Sequence, residues 1–315
     1  MILSVSRRTD IPACYMPWFM NRLREGFVMV RNPMNPGQVS RIVLSPETVE
    51  AIVFWTKNPL PLLPCLDEID RMGYCCGVQY TITGYDRDVE PNLPELPARL
   101  AAFRELSARL GPERMRWRYD PILLSERYTE AWQVERFAHL ADALAGCTDT
   151  CIISFLDVYA KNRRALKAAR LHTLDEEQMR ALSAGLAREA ARCGIRLQTC
   201  AERIDLTVCG VQPGACLDST WVGRIAGFPI RSVKDPGQRA ECGCVPSVDV
   251  GQYNTCTNGC LYCYANHSRD SVQANAARHQ PDSPLMTGML SSTDHVTERR
   301  MLSLRDPDGE QLSLL

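Results

Sequence analysis

The stretch Ser247–Asn266, SVDVGQYNTCTNGCLYCYAN, places three cysteines on one short loop directly after an apolar run. Val248–Gly251 is predicted to be a strand, and the loop after it carries Cys256, Cys260 and Cys263 in a C-x3-C-x2-C spacing. The following segment, YANHSRDSVQANAARH, is predicted to be a helix. A strand, a cysteine-bearing loop and a helix make a βα unit, which predicts an α/β fold.

Six further apolar runs upstream have the length of buried strands. The seven predicted strands are Ile2–Val5, Ala51–Trp55, Gly77–Thr83, Met115–Tyr119, Cys151–Phe155, Ile195–Thr199 and Val248–Gly251. Helical patterns separate most of them, so the predicted sheet is mainly parallel. The segment Phe27–Leu44, with RNPMNPGQ between two apolar runs, predicts a hairpin inserted between the first two units.

Two of the intervening helices have clear predicted ends. The first begins after Thr129 and stops at Gly146, and its apolar stripe consists of Val134, Phe137, Ala141 and Leu144. The second is predicted to begin with a capping box of Thr173 and Glu176 and to end at Gly194. Its apolar face consists of Met179, Leu182, Leu186 and Ala190.

Seven such units predict a TIM-like barrel, partial or full, in which functional groups sit at the C-terminal ends of the strands. Five predicted strands do end in polar clusters: SRRTD, WTKNP, TITGYD, RYDP and TCAER. We expect residues 1–280 to form the barrel, with a cysteine-rich region at residues 200–264. Residues 281–315 are expected to form a C-terminal tail that packs against the barrel or frays.

The composition argues against a nucleic-acid-binding, membrane-spanning or secreted protein. The net charge is −1, from 36 basic and 37 acidic residues, which gives no bulk attraction to nucleic acid or to an anionic membrane. No apolar run approaches the roughly 20 residues of a membrane span, and the N-terminal MILSVSRRTD lacks the apolar core of a signal peptide. We therefore expect a cytoplasmic protein, whose fifteen cysteines stay reduced rather than forming a disulfide framework.

The three cysteines of the loop can occupy three corners of a 4Fe–4S cubane and leave the fourth iron open. Zinc is the main alternative, but structural zinc sites want four ligands, commonly as two CxxC-type pairs. Four upstream cysteines would close a second cluster, or would pack as buried apolar side chains: Cys200, Cys216, Cys242 and Cys244. The remaining cysteines are expected to be bystanders: Cys14, Cys65, Cys75, Cys76, Cys147, Cys151, Cys193 and Cys209.

C-x3-C-x2-C with an aromatic residue before the last cysteine resembles the signature of the radical SAM superfamily. The resemblance implies that the open iron binds S-adenosylmethionine (SAM) and that the reduced cluster cleaves it to a 5′-deoxyadenosyl radical. Here the motif lies near the C-terminus rather than after the first strand, which implies a circularly permuted barrel.

The chain also resembles, from Ser6 to Asn266, a family of uncharacterised bacterial proteins with a domain of unknown function. The matching segments are SRRTDIPA, FWTKNP, TITGYDRDVEPNLP, WRYDPI, FLDVYAK, CAE, QRAECGC and SVDVGQYNTC–GC–YCYAN. That family is distantly similar to spore photoproduct lyase. This resemblance implies a fold and a cofactor, but no substrate.

Polar residues at the strand ends are expected to bind SAM. Arg118 would pair with its carboxylate, Asp120 would hold a ribose hydroxyl or orient Arg118, and Tyr262 would lie against the adenine. The other candidates are Lys57, Asn58, Thr81, Thr83, Gly84 and Glu202. Ordinary salt bridges and turns also account for each of these residues. Arg7, Arg8 and Asp10 would bind an anionic substrate or pair with one another at the rim.

The leading hypothesis is a radical SAM enzyme whose deoxyadenosyl radical abstracts hydrogen from an unknown substrate, with flavodoxin or ferredoxin as electron donor. One alternative is a non-catalytic iron–sulfur or zinc protein for electron transfer or partner binding. Another is a nucleic-acid-modifying radical SAM enzyme, which the near-neutral charge disfavours.

Overall fold

A computed structural model describes residues 1–307, which form eleven strands and nine α-helices. The strands are β1 (Ile2–Val5), β2 (Phe27–Arg31), β3 (Gln38–Val43), β4 (Ala51–Thr56), β5 (Cys76–Thr81), β6 (Met115–Ile122), β7 (Thr150–Phe155), β8 (Arg196–Cys200), β9 (Gln212–Gly214), β10 (Val248–Asp249) and β11 (His295–Glu298). The helices are α1 (Ile11–Cys14), α2 (Met16–Glu25), α3 (Leu66–Arg71), α4 (Leu96–Leu110), α5 (Glu130–Leu144), α6 (Arg163–Ala168), α7 (Glu176–Arg192), α8 (Ser219–Ala226) and α9 (Arg269–Ala277).

Eight strands form one sheet in the order β10-β1-β4-β5-β6-β7-β8-β9, and every neighbouring pair is parallel. This confirms the predicted α/β fold, and all seven predicted strands are present. β9 was not predicted because its sequence, QPG, contains two residues that strands disfavour. β10 and β9 occupy the two ends of the strand order, so closure into a barrel stays a prediction.

The last strand of this sheet pairs with the first. Leu3 lies opposite Val248 and Ser4 opposite Asp249 in parallel register. The SRRTD segment after β1 and the cysteine loop after β10 therefore leave the same edge of the sheet side by side. Two segments that are far apart in the sequence therefore lie next to each other in the fold.

The two predicted helices form, with one correction. The Thr129 hydroxyl accepts a hydrogen bond from the Trp132 amide at 3.2 Å and caps α5, as predicted. The capping box of α7 is not Thr173 with Glu176. Asp175 accepts from the Gln178 amide at 2.9 Å, and the Gln178 side chain accepts from the Asp175 amide at 3.1 Å. Both pairs have the same spacing and Asp caps at least as well as Thr, so the spacing alone did not distinguish them.

The predicted hairpin is confirmed, because β2 and β3 pair antiparallel, and β11 adds to β3 as a third strand. The described part of the predicted tail packs here. The Trp18 indole donates to the Ser283 carbonyl at 2.9 Å, and the Met29 amide donates to the Pro284 carbonyl at 2.9 Å. Residues 308–315 of the predicted tail lie outside the described residues. Within residues 1–307, every helix is too short or too polar to cross a membrane.

Candidate functional site

A cavity of about 410 Å³ lies at the carboxyl ends of the parallel strands. Its walls come from the loop after β1, from the ends of β4 to β8, and from the cysteine loop after β10. Parallel strands end at one edge of their sheet, which is why polar clusters separated in sequence meet there. The volume lies in the range of ligand pockets in proteins.

The three cysteines of the loop, Cys256, Cys260 and Cys263, all line this cavity as free thiols. We call them the trio. Hydrogen bonds hold the loop backbone around them. Asn266 donates to the Cys256 carbonyl at 2.7 Å, and Asn92 donates to the Thr257 carbonyl at 2.8 Å. Hydrogen bonds to its peptide groups therefore hold the loop in place.

Gly259 allows the turn within this loop. Its φ is 74°, in the left-handed region that other residues rarely adopt. A Cβ at this position would meet the Asn92 amide nitrogen and Pro91 Cγ, both at 3.1 Å. Any other residue at this position would strain the backbone and press on the segment after β5.

Burial keeps the thiols of the trio neutral in the absence of a metal. It raises the pKa of Cys260 to about 12 and also raises the pKa of Cys263. A hydrogen bond with Cys14 and then burial raise the pKa of Cys256. Because thiolates are the metal-binding form, a metal or cluster must displace these protons when it binds.

Cys14, which was expected to be a bystander, lies beside the trio. Its thiol contacts the Thr257 hydroxyl at 3.3 Å, and a hydrogen bond with Cys256 lowers its pKa. It ends α1, the short helix that follows the polar segment after β1. Cys14 is not among the described residues that line the cavity.

Glu90 is a second residue that the sequence analysis missed, and it organises the wall beside the trio. Its fully buried carboxylate accepts from Lys57 at 2.8 Å, Thr83 at 2.9 Å and Arg99 at 3.2 Å, and also from the Tyr262 hydroxyl. Burial acts to raise the pKa of Glu90, but the cations of Lys57 and Arg99 outweigh it and leave that pKa below its usual value. Three predicted SAM ligands thus share one buried carboxylate.

Arg118 points towards the second set of cysteines. Its guanidinium donates to Cys216 Sγ at 2.7 Å and to the Asp120 carboxylate at 2.6 Å. Asp120 also accepts from Ser154, so its carboxylate is held beside Arg118. Arg118, Asp120 and Cys216 all line the cavity.

The second set, Cys200, Cys216, Cys242 and Cys244, lines the same cavity, and we call it the quartet. Cys200 Sγ and Cys216 Sγ lie 2.7 Å apart, and side-chain hydrogen bonds link Cys216 to Cys244 and Cys244 to Cys242. Cys200 ends β8, Cys216 follows β9, and the other two lie in the ECGC segment before β10. The fold therefore gathers four thiols from three segments.

Of the remaining residues that were predicted to bind SAM, some line the cavity and others do not. Thr81 lines the cavity, as do Lys57 and Tyr262. Four others are not among the described residues that line it: Asn58, Thr83, Gly84 and Glu202. A Cβ on Gly84 would clash with the Arg136 side chain, so a protein group rather than open space lies against its backbone. Glu202 accepts from the Phe155 amide at 2.9 Å, and burial raises its pKa to about 7.

The segment after β1 is held by hydrogen bonds. The Asp10 carboxylate accepts from the Lys57 amide at 2.7 Å and from the Asn258 side chain at 2.9 Å, which joins this segment to the trio loop. The Arg7 amide donates to Asp249 at 2.8 Å, and its guanidinium lies 4.8 Å from the centre of the Trp55 ring. Arg7, Arg8 and Asp10 line the cavity, and within residues 1–307 no ion pair joins any two of them.

Across residues 1–307, no group of three or more His, Cys, Asp or Glu side chains is arranged to hold a metal ion. A cubane makes a different demand, because each thiolate binds a different iron and the thiolates need not converge on one point. The trio fits that demand chemically: three free thiols lie on one fixed loop, and all face a cavity.

Comparison with known proteins gives a family and no described function. No curated protein and no solved structure matches the chain. A family profile described as a domain of unknown function (DUF1848) matches residues 2–265, which confirms the expected resemblance to an uncharacterised family. The chain therefore belongs to the DUF1848 family.

Proposed function

We propose that this protein is a radical SAM enzyme with a 4Fe–4S cluster on Cys256, Cys260 and Cys263. When bound and reduced by one electron, such a cluster cleaves SAM to methionine and a 5′-deoxyadenosyl radical, which takes a hydrogen atom from the substrate. The observation that carries the proposal is the position of the trio on a fixed loop at the wall of a 410 Å³ cavity. Three protein thiols in a cubane leave one iron for SAM.

Lys57 is the cation we assign to the SAM carboxylate. Its ammonium group is near enough to Cys260 and Cys263 to favour the thiolate form of both. It lies 5.3 Å from the centre of the Tyr262 ring, and the side chain of Lys57 is 15 % exposed. Arg118, the residue that the sequence favoured for this role, instead donates to Cys216.

Tyr262 acts in this proposal as a positioning residue. Its hydroxyl donates to Glu90, and its carbonyl accepts from Asn162 at 3.1 Å. Both ends of the residue are held, so the peptide between Cys260 and Cys263 has a fixed place in the wall. A fixed loop holds the thiols in position before a cluster binds.

Electrons would enter through a second hollow that borders the trio. This hollow of about 590 Å³ is lined by the same three cysteines and by the exposed residues Lys161, His267 and Arg269. The cations among them, Lys161 and Arg269, favour docking of an acidic partner, such as a flavodoxin or ferredoxin. Free thiols and a cluster of this kind suit the reducing cytoplasm.

A non-catalytic electron carrier is the main competing function. A carrier needs a cluster near the surface, but it has no use for a cavity lined by Arg8, Lys57 and Thr81 next to that cluster. The cavity therefore favours the enzyme.

The test is anaerobic reconstitution with iron and sulfide, reduction with dithionite, addition of SAM, and measurement of 5′-deoxyadenosine. We expect the wild-type chain to form it and Cys260→Ala to lose it while keeping a native circular dichroism spectrum. Cys147→Ala, which removes a half-buried thiol outside both cysteine sets, should retain it. Product formation by Cys260→Ala, or none by reconstituted wild type, would refute the proposal.

A further inference from the structure

The quartet carries an inference that is independent of SAM cleavage at the trio. Three of its thiols, Cys216, Cys242 and Cys244, are buried, and Cys200 is half-buried. Backbone hydrogen bonds bring their segments together: the Val245 amide donates to the Leu217 carbonyl at 2.9 Å. The four thiols are thus neighbours in the folded chain, although Cys200 and Cys244 are distant in sequence.

Two arginines, the buried Arg118 and the half-buried Arg7, lie beside these thiols. Arg118 donates to Cys216 Sγ, and Arg7 is coupled electrostatically to Cys244 and Cys216. Arg7 Nη2 is a buried donor without a hydrogen-bond partner. The charge of Arg118 is already paired with Asp120, but the Arg7 guanidinium forms no ion pair among the described residues, and neutral thiols would not offset the cost of leaving one of its donors unpaired. A negatively charged group bound by the thiols would offset that cost.

We infer that Cys200, Cys216, Cys242 and Cys244 bind a second iron–sulfur cluster, a four-thiolate cubane with no iron left open. All four thiols border the cavity, which provides space that a cluster requires. A structural zinc ion, in contrast, is enclosed by its own ligands. Cys200 and Cys216 are in direct contact at 2.7 Å, so these two side chains must separate when a cubane binds.

The second cluster would border the same cavity as the first, because the trio and the quartet both line it. With four protein ligands it has no free iron for SAM. It is therefore suited to exchange an electron with a molecule in the cavity rather than to bind SAM.

The decisive variant removes the trio and leaves the quartet: Cys256→Ala, Cys260→Ala and Cys263→Ala together. After anaerobic reconstitution with iron and sulfide, we expect about four irons and about four sulfides per chain, against about eight of each in the wild type. The control Cys147→Ala plus Cys209→Ala removes two half-buried thiols outside both sets and should match the wild type. Loss of all iron from the trio variant, or zinc in place of iron, would overturn the inference.

The reciprocal variant, Cys216→Ala with Cys242→Ala, should retain about four irons and still yield 5′-deoxyadenosine. This separates the two proposals, because failure of SAM cleavage would leave the iron count of the trio variant unchanged. If either multiple variant does not fold, Arg118→Gln provides the test in the intact chain. Removing a cation and a hydrogen-bond donor beside Cys216 should shift one of two reduction potentials to a more negative value, and a single unshifted potential would contradict the inference.

Discussion

The trio and the quartet are assembled in opposite ways. The trio lies on one loop, and backbone carbonyls such as that of Cys256 hold it in place. The quartet comes from three segments, and a cation, Arg118, contacts its sulfur directly. A local loop can be recognised from its spacing, whereas a site assembled by the tertiary fold depends on which segments the sheet brings together. Each cysteine set also has an acidic residue near it. Glu90 lies beside the trio, and Glu202 follows Cys200 of the quartet.

Glu90→Gln is expected to have the largest effect on stability. It removes the carboxylate that pairs with Lys57 and Arg99, and leaves buried positive charge without a partner. Loss of one partner of a buried pair costs about 3–5 kcal/mol of the free energy of unfolding. Urea denaturation monitored by circular dichroism measures this change.

Glu95→Gln is the matched control, because Glu95 pairs with Arg87 on the surface, where both side chains are more than 70 % exposed. We expect no measurable change in that variant. Equal effects of the two substitutions would show that Glu90 does not support the wall beside the trio.

Glu202→Gln is expected to stabilise the protein at alkaline pH. Burial raises the pKa of Glu202 from 4.5 to about 7, so the folded chain keeps a proton that the unfolded chain releases between these values. Stability contributed by this group is therefore lost as the pH rises from about 4.5 through about 7. Gln keeps an acceptor for the Phe155 amide and carries no charge, so the gain at pH 8 should be about 1–2 kcal/mol after allowance for solvent screening.

Thermal unfolding of this variant and the wild type at pH 5 and pH 8 measures the difference. The exposed Glu105→Gln variant controls for loss of a surface charge. A gain in Glu202→Gln that is equal at both pH values would show that Glu202 is not held in its protonated form.

Much of this architecture was predictable from local patterns. All seven predicted strands are present because each is a short apolar run between turn signals, and Cys256, Cys260 and Cys263 lie at one cavity as their spacing indicated. Glu90 was missed because nothing near it in the sequence shows that Lys57 and Arg99 will converge on it. Such contacts depend on loops that meet only after the strands have paired.

Gly259→Ala and Gly243→Ala compare the two cysteine loops directly. Gly259 has a φ of 74°, and a Cβ there would press on Asn92 and Pro91, so alanine should cost about 1–2 kcal/mol. A Cβ on Gly243 would only touch the Ala215 side chain at 3.4 Å, which is an ordinary contact. The trio should therefore bind less iron in the first variant, and the quartet should be little affected in the second. Equal iron loss in both variants would contradict the difference in loop rigidity.

Cys14→Ala is expected to have the smallest effect on iron content and on product formation. It tests whether the cluster on the trio keeps one iron without a protein ligand. Cys14 contacts Cys256 and Thr257, so it is the thiol outside the trio that could supply a fourth ligand. A fourth ligand would close the cluster and leave no iron for SAM. Since Cys14 does not line the cavity, we expect the variant to keep its iron content and its 5′-deoxyadenosine formation. If Cys14→Ala loses about as much iron as Cys260→Ala, while Cys147→Ala loses none, the trio is part of a four-thiol site and the proposed chemistry is wrong.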